Sequence, residues 1–277
     1  MSRSRKATSQ YVAGGILSLM AFVGLFPFLF MFAASFKTND QFNKSYWLPS
    51  WPVHLENYSA AWEQVRPYFI TTGVVAAVSV VGTLLLAATA GFVFARFQFF
   101  GSNLLFGLMA ALLMVPSIAS LIPLFVMMRD FHLLNSRTVL ILPQISGGVV
   151  IGTLLIRTYT ESIPRELFDA ARVDGASSVR LFWNMMLPLC RPVIATVTLI
   201  IVINVWNEFF WPLLTITDDN LRTIPVGLSF FQGQNVAVWG PLFAGYTLAS
   251  VPLLVIFTLL SKYFLAGVQG GIVSAGK

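Results

Sequence analysis

Six apolar stretches punctuate the 277-residue chain, near residues 11–36, 70–95, 104–128, 138–160, 189–214 and 242–265. A helix needs about 20 largely apolar residues to cross the hydrocarbon core of a bilayer, and each stretch meets that length. In hydrocarbon every backbone N–H and C=O must be satisfied within the protein, so such stretches fold as helices. The expectation is an all-α, polytopic membrane protein with six transmembrane helices in a single transmembrane domain over 1–277. Composition agrees, since 10% of the residues are charged against about 25% in soluble domains. The net charge of +6 then bears on membrane sidedness, and no nucleic-acid partner is expected.

Arg3, Arg5 and Lys6 precede the first stretch, as in a signal peptide. The apolar run is longer than the usual core of about 7–15 residues, and FAAS at 32–35 is a poor cleavage site. It is expected to be retained as a span. With six spans both termini share one side. Placing them inside makes Arg3, Arg5, Lys6, Arg96, Arg157, Arg165, Arg172, Arg180, Arg191, Lys262 and Lys277 cytosolic. Lys37, Lys44, Arg66, Arg129, Arg137 and Arg222 then face outward. Basic residues favour the cytosolic side of short loops, so both termini are expected on the cytosolic side of a cell membrane. Cys190 is the single cysteine, which excludes an internal disulfide and a multi-thiolate metal site. His54 and His132 stand in separate loops and make no ligand cluster.

The cytosolic loop 161–188 breaks the apolar pattern with DAARVDGASSVRLFWNMMLP at 169–188. Pro164 suits a first helical turn, where its missing N–H costs little. Arg165 and Asp169 share one helical face, as do Leu167 and Ala171. Asp174-Gly175 reads as a helix stop, with glycine free to turn left-handed. Ser177 caps a second helix through Val179 to Met186, and Pro188 marks its end or the bend into the fifth span. Two short helices at a glycine corner are expected on the membrane surface. Leu181, Phe182, Met185 and Met186 should pack on the bundle, leaving 169–174 exposed. A solvated helical connector is the plainer alternative.

Asp169, Ala170 and Ala171 are followed by Gly175 four residues on, and then by Met185, Leu187 and Pro188. This acid–Ala–Ala…Gly…apolar-x-Leu-Pro pattern resembles the signature loop of bacterial ABC-importer permeases. The family's usual Glu is Asp169 here, and its usual Ile is Met185. FKTNDQF after the first span, LPSWPVHLENYSAAW before the second, NVWNEFFWPLL in the fifth and the tail AGVQGGIVSAGK look like carbohydrate-importer permeases. The likeness is to the six-span partner of maltose and glycerol-phosphate importers, except that a lysine common near 274 is Ser274. The resemblance implies a type I ABC importer permease fold and a permease subunit for a sugar or sugar-like solute. It implies that the loop docks on a cytosolic ATPase through Glu166, Asp169, Ala170, Ala171, Asp174, Gly175, Leu187 and Pro188. Implied partners are a second permease in a pseudo-symmetric heterodimer, an ATPase dimer, an extracytoplasmic solute-binding protein and the lipid bilayer. The binding protein would be met by Gln232, Gly233, Gln234 and Asn235, at the tip of the loop before the last span.

The chain is expected to bind no cofactor and to be no enzyme, with ATP-Mg used by the partner ATPase. GIVSAGK at 271–277 matches the start of a phosphate-binding loop, but it has neither the Ser/Thr nor the helix that such a loop needs. Glu208 is the one acid deep in a predicted span, among Asn204, Trp206 and Asn207. A charge there costs about 2.5–3.5 kcal/mol, so it should face protein or water. Those four residues are candidates for the solute pathway, or alternatively for interhelical hydrogen bonding. Gly148 and Gly152 form a GxxxG step suited to close helix packing. The competing class is an autonomous secondary transporter of a small polar solute. That would show internal repeats with paired broken helices, and no convincing repeat appears.

Overall fold

Apolar periodicity fixes where the helices run, and proline decides where two of them break. The computed structural model describes residues 2–234 and 238–274, with the side chains of 13–230, 238–259 and 261. Among the described residues all regular structure is helical. The order is α1 (Ser2–Ala34), α2 (Asn39–Lys44), α3 (Glu56–Arg96), α4 (Ser102–Leu112), α5 (Ser117–Asp130) and α6 (Arg137–Ser162). Then come α7 (Arg165–Val173), α8 (Ser178–Leu181), a π-turn (Phe182–Met186), α9 (Leu187–Leu189), α10 (Arg191–Asn207) and α11 (Phe210–Thr215). A 3₁₀ turn (Asp219–Leu221), α12 (Ile224–Gln234) and α13 (Trp239–Ser274) complete the chain.

Among the described residues four helices are long and apolar enough to cross a membrane, and up to six spans result if each of two bent pairs counts as one. The bent pairs refine the expected third and fifth spans. Between Ser102–Leu112 and Ser117–Asp130 the axis turns by 96°. Pro116 lacks an N–H and disfavours a helical residue before it; it sits extended as the N-cap of α5 (φ −60°, ψ 126°). The fifth span begins with a 75° bend between Ser178–Leu189 and Arg191–Asn207. Its far end is also interrupted, because Glu208 is extended (φ −68°, ψ 117°) before α11 resumes. Pro212 cannot donate to the Glu208 carbonyl four residues back, which accounts for that gap. Pro27, Pro123, Pro143 and Pro252 lie inside continuous helices.

The chain forms two compact units. One comprises 1–66 and 228–251. Here Ala13 to Leu29 of α1 are exposed throughout, an apolar surface suited to lipid or to another chain's spans. Phe42 anchors the loop after α1, stacking on Trp239 at 5.1 Å and meeting Tyr46 at 4.7 Å. Lys37 is 1% exposed and its ammonium donates to the carbonyls of Ser45 and Tyr46. Burial lowers its pKa from the ordinary 10.5. The Asn57 amide donates to the Ser35 and Lys37 carbonyls at 2.8 and 3.1 Å. Gly240 passes so close that a Cβ would stand 2.2 Å from the Lys37 carbonyl oxygen. Trp47 and Trp51 remain exposed on this loop.

The other unit comprises 67–227 and 252–277, and its core joins α3, α6 and α10. The GxxxG step works as expected. A Cβ on Gly148 would lie 2.6 Å from Thr83 Oγ1 and 2.7 Å from Ile201 Cδ1, and one on Gly152 would lie 2.9 Å from Ala87 Cβ. Ile156, Val197 and Ile201 are buried in this seam. At one end Asn135, with φ +55°, accepts from the Thr217 and Asp218 N–H groups at 3.0 and 2.9 Å. Its own N–H donates to the Thr215 carbonyl at 2.8 Å, so the α5–α6 loop is tied to the segment after α11.

Candidate functional site

Two places in the second unit carry the predicted coupling and pathway residues. The first is the polar island. α7 starts after extended Pro164 and ends in a Schellman motif, in which left-handed glycine lets the last carbonyls find donors. Gly175 has φ +83°; its N–H donates to the Arg172 carbonyl at 3.0 Å, and Ala176 N–H to the Ala171 carbonyl at 2.9 Å. The Ser177 hydroxyl then accepts from Arg180 N–H at 3.3 Å, capping α8. The two-helix corner is therefore built as the sequence predicts. Asp169 pairs with Arg172 at 3.3 Å.

Phe168 is the only buried residue of α7, and the Arg96 guanidinium lies over its ring at 4.0 Å. Glu166, Asp169, Ala170, Asp174 and Gly175 are exposed and Ala171 is half-buried. Leu167 and Val173 add exposed apolar surface. Beyond the corner, Leu181 and Met186 are fully buried, and Phe182 meets Phe92 edge-on at 5.6 Å. Pro188 does not end the second helix. The helix rewinds as the π-turn, because Pro188 cannot donate to the Asn184 carbonyl, and the bend comes at Cys190. Leu187 is half-buried and Pro188 exposed.

The second place lies where both broken helices flank α6. A cavity of about 690 Å³ is lined by Leu113 and Val115 at the first break, Gln144 on α6, and Glu208, Phe210 and Trp211 at the second. A further space of about 340 Å³ is lined by Gln144, Ile203, Asn204, Asn207 and Glu208. Glu208 thus stands at a helix break and lines both spaces. Its Oε1 accepts from Trp211 N–H at 3.2 Å. Trp211 Nε1–H in turn donates to the Val139 carbonyl at 2.8 Å, fixing α11 to α6. The Asn207 amide donates within its own helix, to the Ile203 carbonyl at 2.8 Å.

Of the four pathway candidates, the structure gathers Asn204, Asn207 and Glu208 at the smaller space. Trp206 lines neither cavity: it is 8% exposed, with its ring 6.4 Å from Phe69, and it packs the core. Helical periodicity explains this, since residue 206 lies nearly opposite 204 on α10 and so faces the core while 204 faces the cavity. Gln144 is the residue that sequence reading missed. It is the amide of α6, next to Pro143, and its signal was a carboxamide within an apolar span. The other missed residue is Arg96, which counts in the sequence only as a cytosolic charge. Gln232, Gly233 and Gln234 belong to the last turn of α12, where a loop tip was expected; their side chains and all of Asn235 lie outside the described residues.

Comparison with known proteins gives a consistent likeness. Residues 84–270 match the family described as "Binding-protein-dependent transport system inner membrane component". The chain is 36% identical over 251 residues to the probable ABC transporter permease protein YurM of Bacillus subtilis (strain 168), covering 90% of this chain and 83% of YurM. It is 31% identical to the arabinooligosaccharides transport system permease protein AraQ of Halalkalibacterium halodurans, with 92% of each chain covered. Among solved structures, a chain of a bacterial ABC transporter involved in the import of the acidic polysaccharide alginate superposes with a TM-score of 0.80 at 21% identity. That match covers 93% of this chain and 97% of the other, and it establishes likeness of fold.

Proposed function

Because this chain belongs to the family of binding-protein-dependent transport system inner membrane components, we propose that it is one permease subunit of an ATP-driven ABC importer for a sugar or sugar-like solute. It is a multi-pass membrane protein, and the proposed orientation puts both termini in the cytosol. A second permease supplies the other half of the pathway, an ATPase pair supplies the energy, and an extracytoplasmic binding protein delivers the solute. ATP-Mg is bound and hydrolysed on the ATPase chains, not on this one. The transport of arabinooligosaccharides by the system to which AraQ belongs supports a carbohydrate.

The observation that carries this function is the island. A short helix exposes an acid and small residues on one side, buries Phe168 on the other, and turns sharply at Gly175. That is a rigid protrusion able to seat in a groove of another protein and to be displaced without melting. Glu166, Asp169, Ala170, Ala171, Asp174 and Gly175 form the docking surface in this proposal, while Leu187 and Pro188 set the exit into α10. Displacement of the island shifts α10 and α6, whose residues line the cavity, and so alternates its access. Asn204, Asn207, Glu208 and the added Gln144 offer hydrogen-bond partners for hydroxyls along the path. Residues 232–235 are proposed to meet the binding protein.

Co-expression with the neighbouring permease and ATPase chains, followed by affinity purification through this subunit, tests the function. Co-purification of an active ATPase is expected, with the association or its coupling lost in Gly175→Arg. Failure of any ATPase to associate in mild detergent or nanodiscs would refute the assignment.

A further inference from the structure

We propose that Arg96 is a positioning residue that latches α7 to the ends of α3 and α6, so that the island and these two spans move as one body. The proposal rests on the importer function for the origin of the motion, and on this chain's own geometry for the latch. Arg96 is the last residue of α3. One of its terminal nitrogens donates to the Thr160 carbonyl at 2.6 Å and to the Ile163 carbonyl at 2.8 Å. These acceptors lie at the C-terminus of α6, where the dipole favours a cation; the Thr160 carbonyl also accepts from Ile163 N–H at 3.2 Å, so Arg96 is its second donor. The face of the same guanidinium covers Phe168 at 4.0 Å.

Only residues 163 and 164 separate α6 from α7, and left alone that joint would pivot. Arg96 spans it, with hydrogen bonds on one side and a ring stack on the other. A planar guanidinium can do both at once; an ammonium offers a point charge and poorer stacking. The exit arm of the corner is seated on the same helix, because Phe92, one turn before Arg96, contacts Phe182 at 5.6 Å. Both arms of the glycine corner therefore rest on the last turns of α3. A displacement of α7 by another protein is then passed to α3 and α6 directly, without waiting for the chain beyond Pro188.

The test is a distance measurement between spin labels at Gln98→Cys, just past α3, and Leu167→Cys on α7. Both sites are exposed, and fully buried Cys190 is shielded from the label. The full assembly is held in nanodiscs, nucleotide-free or trapped with ATP-Mg and vanadate. With wild-type Arg96 a single narrow distance is expected, unchanged by trapping. Arg96→Gln should broaden it in both states and shift it on trapping, and Arg96→Lys should recover part of the narrowing. Phe168→Leu, which keeps the carbonyl bonds, should broaden it less. A distance that shifts on trapping with Arg96 intact overturns the latch, as does a wild-type distribution in Arg96→Gln. Reduced yield of Arg96→Gln with a wild-type distribution in the folded fraction also overturns it, since that is the mark of a merely structural arginine. If no ATPase associates, the importer function fails, while the nucleotide-free comparison still decides the latch.

Discussion

The island and the cavity are both polar interruptions of an apolar chain, yet they are assembled over very different distances. The island closes on itself: the bond from Ala176 to Ala171, the left-handed Gly175 and the Ser177 cap all fall within a few residues. The cavity needs residues near 113, 144 and 208 to converge, and it exists because α4/α5 and α10/α11 are each broken near a proline. A locally closed element keeps its shape when pushed. A space bounded by helix ends changes shape whenever those ends shift, because at the breaks the continuous α-helical bond ladder gives way to a few short-range bonds. Lever and variable aperture are thus different kinds of construction, and each substitution below weighs on one more than the other.

The largest effect should come from the island. Nothing within 4 Å opposes a Cβ at Gly175, so crowding inside this chain is not the obstacle there. The obstacle is conformational, because a left-handed L-residue costs roughly 1–2 kcal/mol, with asparagine among the tolerated exceptions. Gly175→Asn should keep the corner and much of the ATPase coupling. Gly175→Arg adds a long cation to the docking surface and should abolish coupling while the chain still folds. Coupled ATPase activity of the two variants in the purified assembly measures this. Equal activities would mean that the corner's outer surface is not where the partner docks.

These two constructions differ in legibility for the same physical reason. Asp169, Ala170, Ala171, Gly175 and Ser177 announce the island because its bonds link near neighbours, and a cap or a left-handed glycine has its own residue preference. The number of apolar runs likewise foretells six spans. The 96° turn before α5 was not evident, since Pro116 alone does not say whether a helix kinks or breaks. Trp206 looked like a pathway residue beside Asn207, but one position around a helix directs it into the core. Gln144 and Arg96 were silent in sequence, because their meaning lies in residues 60 or more positions away, Glu208 for one and Thr160 for the other.

A substitution between the two places should have the next largest effect. Gly148 lets α6 approach both α3 and α10, and a leucine there has no room beside Thr83 and Ile201. Overpacking of this kind costs roughly 1–3 kcal/mol, so Gly148→Leu should lower the midpoint of thermal unfolding in detergent. It should also damage the cavity more than the island. A normal midpoint together with normal solute-stimulated ATPase activity would show that the seam is looser than its contacts imply. At the second break, Glu208→Ala removes the acceptor for Trp211 N–H, a cap worth about 0.5–2 kcal/mol. Glu208→Gln retains an acceptor and should unfold near the wild-type temperature. If both variants unfold alike, Glu208 does not hold the break.

Gln144 gives the smallest stability effect and the sharpest separation of the two regions. It lines both spaces and stands more than 15 residues before the end of α6, so truncating it leaves the island untouched. Gln144→Ala should therefore preserve thermal stability, ATPase association and basal ATPase activity. What should fall is uptake at low solute concentration, with recovery as the concentration rises. Losing one hydrogen bond of about 0.5–1.5 kcal/mol corresponds to roughly a 2- to 10-fold weaker apparent affinity. Uptake measured across concentration with an arabinooligosaccharide panel reads this directly. A lowered maximal rate with unchanged affinity would instead assign Gln144 to the motion of α6, and the cavity would then be part of the lever.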